Sequence, residues 1–219
     1  MPNCVDCELI PTNPNLEFES TYWTQGLRFV AGLDEAGRGA WAGPVTAAVV
    51  VLPQDEQVSV LLAGVRDSKQ VSPSARQMLA EKIKAFALGW GVGTADHCEI
   101  DGLGIIHATR LAMERAIAQL NNQPEHLLID ALLLPEVAIP QTALIKGDQR
   151  SLSIAAASIL AKTSRDAWMI EAHTQFPDYG LDHHKGYGTK KHRASLLTSG
   201  ISPIHRLSFK PISEINQNR

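Results

Sequence analysis

Short apolar runs bounded by glycine, proline or charge punctuate the first half of the chain. Arg28 to Leu33 and Val45 to Leu52 have the length and branched-residue content of buried strands, and a glycine-rich connection joins them. The period then changes. Ser72-Pro73 is a helix start, after which Leu79, Ile83 and Phe86 recur at helical spacing. A third strand is expected within Ala87 to Ala95. A second helix is marked by Ile106, Met113, Ile117 and Leu120 and ended by Asn121-Asn122-Gln123-Pro124. His126 to Ile129 and Thr142 to Ile145 read as two more short strands on either side of a proline-flanked connection. Ser151 to Ile170 is an alanine-rich helix, and Thr189 to Ser199, closed by Gly200, is a last amphipathic one. Strands first, then strand-helix alternation, indicate an α/β fold: a mixed central β-sheet flanked by helices, with a C-terminal helical segment. Residues 1–26, polar and carrying Pro11 and Pro14, are expected to be a loose extension. Residues 27–210 form the folded domain, and residues 211–219 a polar tail that frays.

The first strand runs into Leu33-Asp34-Glu35-Ala36-Gly37-Arg38-Gly39. Two adjacent carboxylates at a strand exit are in themselves an ordinary polar turn. The glycine-arginine-glycine sequence changes that reading, because bare backbone and a fork of guanidinium donors suit a closely approaching anion. A P-loop is excluded, since Arg38-Gly39 stands where Lys-Ser/Thr is required. Asp130 follows His126 to Ile129, and Asp148 follows Leu144-Ile-Lys-Gly147, so two more acids fall where apolar runs end. Singly, each is a common strand cap. In a parallel arrangement the C-terminal ends of strands share one sheet edge, so Asp34 and Asp130 can converge. Carboxylates about 4 Å apart repel by several kcal/mol per pair at an effective dielectric of 20, so four ionised acids need cations to cluster. Two divalent ions would balance them, and hard oxygen ligands select Mg²⁺ or Mn²⁺, the arrangement of two-metal phosphodiester chemistry.

Other chemistries find little support. No Gly-x-Ser-x-Gly elbow occurs, His183 and His184 are adjacent rather than one helical turn apart, and Gly89-x-Gly91-x-Gly93 suits a closely packed strand better than a dinucleotide site. Cys4 and Cys7 have the spacing of half a zinc site without a second pair, and three cysteines are too few for a disulfide framework, which fits a reducing compartment. No run approaches the length of a membrane span and no leader is apparent, so a cytoplasmic protein is expected. The net charge of −3 argues against nucleic acid until its distribution is seen: His183 to Lys210 holds six Lys or Arg, four His and no acid. That segment fits either a solvated surface or a phosphate-binding one.

Five ordered blocks resemble the type-2 ribonuclease H family, ribonuclease HII, between about Arg28 and Lys210. They are Gly32-Leu-Asp-Glu-Ala-Gly-Arg-Gly39 with Ala42-Gly-Pro-Val45; Asp67-Ser-Lys69; Lys146-Gly-Asp148 with Ser151 to Lys162; Lys185-Gly-Tyr-Gly-Thr189; and Pro203-Ile-His-Arg206 with Ser208-Phe209. The resemblance implies a ribonuclease H-like catalytic domain and a probe-able activity: metal-dependent cleavage of the RNA strand of RNA/DNA hybrids, and incision on the 5′ side of ribonucleotides embedded in duplex DNA. It implies Asp34, Glu35, Asp130 and Asp148 as catalytic metal ligands, Gly37, Arg38 and Gly39 as contacts to the backbone around the ribonucleotide, and Tyr187 as the sensor of its 2′-hydroxyl. Lys69, Lys162, Arg165 and the Lys190-Lys191 pair become candidate phosphate contacts. The expected partners are RNA/DNA hybrids and ribonucleotide-containing duplexes, bound by a monomer. Gln70 and Trp41 depart from the family's usual residues. The competing readings are a DNA nuclease of the same fold, which needs no 2′-hydroxyl sensor, and a binding module without catalysis, which needs no acids.

Overall fold

The computed structural model describes residues 10–55 and 57–217; Cys4 and Cys7 lie outside them. A short helix α1 (Glu17–Trp23) leads into strands β1 (Val30–Ala36) and β2 (Val45–Val51). Helices α2 (Gln57–Leu61) and α3 (Pro73–Phe86) precede β3 (Gly89–Ala95), and α4 (His97–Leu103) and α5 (Ile105–Ile117) follow it. Strands β4 (His126–Asp130) and β5 (Gln141–Leu144) then lead to the long helix α6 (Leu152–Gln175). The chain ends in α7 (Leu181–His184), α8 (Lys190–Ser199) and α9 (Lys210–Gln217).

The strands form one mixed sheet in the order β3-β2-β1-β4-β5. β2 is antiparallel to both β1 and β3, whereas β1, β4 and β5 run parallel. Alternation along the strands divides the core into two layers. Ala31 and Leu33 of β1, with Val45, Ala47 and Val49 of β2, pack on Ala108, Ala112 and Met113 of α5. Ala48 and Val50 of β2 face the other way, against Ala155, Ala156 and Ile159 of α6. Being covered on both faces, β2 reads as an unbroken apolar run. Glycines let the helices close in. A side chain at Gly32 would meet the Ser153 carbonyl carbon at 2.2 Å, and one at Gly93 the Ala112 carbonyl oxygen at 2.1 Å.

Several expectations are corrected. β1 does not end at Leu33: its pairing with β2 continues to Ala36 opposite Thr46, so Asp34 and Glu35 lie inside the strand. The polar lead-in contains α1, because Glu19 is fully buried and accepts hydrogen bonds from Ser151 Oγ, Ser153 Oγ and the Ser153 N–H at the start of α6. Capping the exposed amides of a helix start gives the buried acid its partners. The tail is also helical. Ile212 of α9 is buried in a cluster with Met169, Tyr179, Leu181 and Leu196, an apolar contact that a reading of tail polarity overlooks.

Candidate active site

Strand β1, the end of β4 and the turn after β5 deliver the acids. In the parallel β1–β4 pair Leu33 lies opposite Ile129, so the next residues, Asp34 and Asp130, emerge side by side at one sheet edge. The Asp34 carboxylate accepts the Glu35 N–H at 2.6 Å, and Asp130 accepts the Gly147 N–H at 2.7 Å. That second bond ties β4 to the turn of 3₁₀ helix at Gly147–Gln149, which carries Asp148 between β5 and α6. Glu35 receives the Arg38 guanidinium at 3.2 Å. All four acids line one cavity of about 370 Å³ together with Gly37, Arg38, Gly39, Lys69, Lys162 and Tyr187. Ser68 and Ser158, joined by a 3.0 Å hydrogen bond, complete its floor; they lie in the Asp67-Ser-Lys69 and α6 blocks, but nothing in a lone serine marks it in the sequence.

The cavity is electrostatically frustrated. Burial raises the pKa of Asp34 well above the usual carboxylate range, and the charges of Glu35, Asp130 and Asp148 raise it further. Burial also raises Glu35 against the opposing pull of Arg38, and raises Asp130 against its Gly147 hydrogen bond. Asp148 is pushed up to about 6 by burial and then by Asp130 and Asp67. Lys69 loses solvation, yet Asp67, Asp148 and Asp34 more than compensate and raise its pKa. Glu35 Oε2 is buried without a hydrogen-bond partner among the described residues. An orphaned carboxylate oxygen amid mutually repelling acids is a donor set that fits a hard divalent cation. Among the described residues, the three ligand-type side chains with donor atoms all within 4.8 Å of one another are Asp96, His97 and Cys98, not these acids. The carboxylates are thus more dispersed than a single ion's shell, as their repulsion requires, whereas Asp96 and Glu99 together cap α4.

Of the expected phosphate contacts, Lys69 and Lys162 line the cavity and Arg165 does not. It is fully buried, and its guanidinium donates to the carbonyls of Pro44, Lys185 and Ala42 at 2.9, 2.9 and 3.1 Å. It cannot meet a phosphate; it supports the site from beneath. A side chain at Gly37 would overlap it, and its guanidinium lies 5.3 Å from the Tyr187 ring centroid, with Lys162 Nζ at 5.5 Å. Lys162 also donates to Asp166 at 2.6 Å. Lys190 and Lys191 are exposed at the start of α8 and do not line the cavity. Trp41 packs where a side chain on Gly188 would be, beside Tyr187, and Gln70 lines a different surface hollow.

Comparison with known proteins agrees with this fold. Residues 31–212 match the family model for ribonuclease HII. The chain is 51% identical over 202 residues to a ribonuclease HII of Chloroflexus aurantiacus, covering 92% of this chain and 95% of that protein. Among solved structures, the ribonuclease H2 of Pyrococcus horikoshii OT3 superposes with a TM-score of 0.71 at 26% identity, covering 86% of this chain and 97% of the other. An Archaeoglobus fulgidus RNase HII, solved in complex with PCNA, gives the same TM-score and coverage at 28% identity. With the family model matched from residue 31 to residue 212 and half of the residues identical to a curated relative over nearly the whole chain, the chain belongs to the ribonuclease HII family of ribonuclease H hydrolases.

Proposed function

We propose that the protein is a divalent-metal-dependent endonuclease that cleaves the RNA strand of RNA/DNA hybrids and incises duplex DNA on the 5′ side of an embedded ribonucleotide, leaving a 3′-hydroxyl and a 5′-phosphate. The observation that carries this reading is a single cavity lined by four carboxylates, a bare-backbone turn and Tyr187. Asp34, Glu35, Asp130 and Asp148 would hold Mg²⁺ or Mn²⁺, and two ions would balance their charge. Bound there, the ions supply positive charge opposite the developing negative charge of the phosphate and lower the pKa of a bound water.

The chain's own groups supply position and selectivity. The Gly37-Arg38-Gly39 turn lets backbone amides approach the sugar-phosphate chain at the ribonucleotide. Tyr187 offers a hydroxyl to the 2′-OH, which alone distinguishes RNA from DNA at one position, and a ring face to the neighbouring nucleotide. Lys69 and Lys162 face the same cavity and would meet flanking phosphates. The unit would act as a cytoplasmic monomer that removes ribonucleotides and RNA primers from DNA. Among the described residues no helix is long and apolar enough to cross a membrane.

The test is incubation with Mg²⁺ or Mn²⁺ and three labelled substrates: a duplex with one ribonucleotide, an RNA/DNA hybrid and an all-DNA duplex. The first two should be cut, the third left intact, and a chelator should stop all cleavage. Comparable cutting of all-DNA duplex would identify a DNA nuclease of the same fold instead. Binding without cleavage in either ion would identify a binding module.

A further inference from the structure

Two buried arginines near the cavity have no carboxylate within 4.0 Å among the described residues, a costly state for a charge unless its geometry is needed. Arg165 is one, described above. The other, Arg206, donates through Nε to the Gly43 carbonyl at 2.9 Å and through Nη1 and Nη2 to the carbonyls of Arg38 and Gly37, each at 2.8 Å. In a planar trans peptide the C=O and the following N–H point in opposite directions. Holding the Gly37 and Arg38 carbonyls therefore turns the N–H groups of Arg38 and Gly39 away from Arg206. Neither N–H has an acceptor among the described residues, and both residues line the cavity.

The adjacent residue reaches the other half of the site. His205 and His192 are both buried and meet Nε2 to Nε2 at 3.0 Å. Ser202 N–H and Oγ lie 3.1 and 2.7 Å from His205 Nδ1, which makes Nδ1 the acceptor and leaves Nε2–H to donate to His192. His192 Nδ1–H then donates to the Tyr187 carbonyl at 3.0 Å. Every hydrogen in this chain has one consistent direction, provided both rings are neutral. Burial depresses both pKa values to about 4, so the tautomers persist at neutral pH.

We infer that Ser202–Arg206 is a brace setting the spacing of the two parts that read the ribose: Arg206 holds the Gly37-Arg38-Gly39 turn, while His205, through His192, holds the Tyr187 backbone. This rests on the ribonucleotide-specific reading above. Arg206, His205 and His192 are positioning residues, since none lines the cavity. Their expected signature is slower incision with substrate affinity retained, because affinity comes chiefly from phosphates.

Single-turnover rates and dissociation constants on the single-ribonucleotide duplex test it, with thermal melting of each variant alongside. Arg206→Lys keeps the charge but gathers its donors on one nitrogen, which cannot reproduce the planar fork reaching three carbonyls from three nitrogens, so incision should slow about tenfold or more with binding within about threefold. His192→Gln loses the donor to the Tyr187 carbonyl and should slow incision about tenfold. His192→Asn places an amide donor near the Nδ1 position and should restore the rate to within about threefold. In a Tyr187→Ala background the His192→Gln effect should shrink below about twofold, because its target is gone. That coupling is compared between folded variants, so it stands even if Arg206→Lys does not fold. A parental rate in His192→Gln, or an undiminished effect in the Tyr187→Ala background, overturns the brace. A parent protein inactive on this duplex overturns the functional reading and the brace with it; an active parent leaves the variants to judge the brace alone.

Discussion

Asp148 shows most clearly how one side chain trades stability for chemistry. Its pKa rises from 3.8 to about 6 on folding, so the native state binds its proton more tightly. The associated stability is fully present below pH 3.8 and is lost as pH rises through about 6. In the metal-free protein at pH 7, Asp148→Asn should therefore raise stability by about 1 kcal/mol once the cavity's solvent access is allowed for, or about 3 °C in Tm. The same change should abolish cleavage, and the gain over the parent should vanish near pH 4. A melting series from pH 4 to 8, with cleavage assayed in parallel, checks both. Tyr187→Phe tests the complementary role: loss of one hydrogen bond at the reacting nucleotide costs about 1 to 3 kcal/mol, which should slow incision roughly tenfold to a hundredfold. Binding of the duplex should hardly change.

At the scale of elements, the site depends on how closely α6 approaches β1. Gly32 faces the start of α6, and a β-carbon there meets the backbone of Ser153 and Ile154 first, which cannot swing aside as a side chain can. Gly32→Ala should destabilise the protein by about 2 to 3 kcal/mol and pull Asp34 and Asp148 apart, measurable as a lower Tm together with reduced cleavage. The β1–β4 register places Asp34 beside Asp130, and the Asp130–Gly147 bond places Asp148 with them. The α1 contact belongs to the same assembly. Glu19 binds Ser151 and Ser153 immediately after the turn that carries Asp148, so the N-terminal helix buttresses the sheet edge that carries the acids.

Across the whole molecule the charge is divided rather than uniform. A chain of net charge −3 sets Lys69 and Lys162 in the lining of an acidic cavity, while Arg165 and Arg206 are buried outside it. Substrate binding should weaken linearly in a plot of log K against log salt, and Lys69→Ala should reduce the magnitude of the slope by about one. Lys190→Ala should leave it unchanged, because Lys190 is exposed outside the cavity. Titration of binding from low to high salt separates the two lysines.

The strands, the main helices and the strand-end position of Asp130 were legible in the sequence because apolar period and turn residues are local signals. That the four acids line one cavity depends on the β1–β4 pairing, which joins segments far apart in the sequence, and on the Asp130–Gly147 bond. Local signals could not reveal partners far along the chain. β1 outruns its apolar stretch because β2 continues to pair with it, and α1 and α9 become ordered through Glu19 and Ile212, each buried by distant residues. The same limit explains Arg165, which reads as a phosphate ligand by type but is surrounded by carbonyls from Ala42, Pro44 and Lys185. A side chain's identity states what it can bond to; only the packed chain determines which acceptors reach it first.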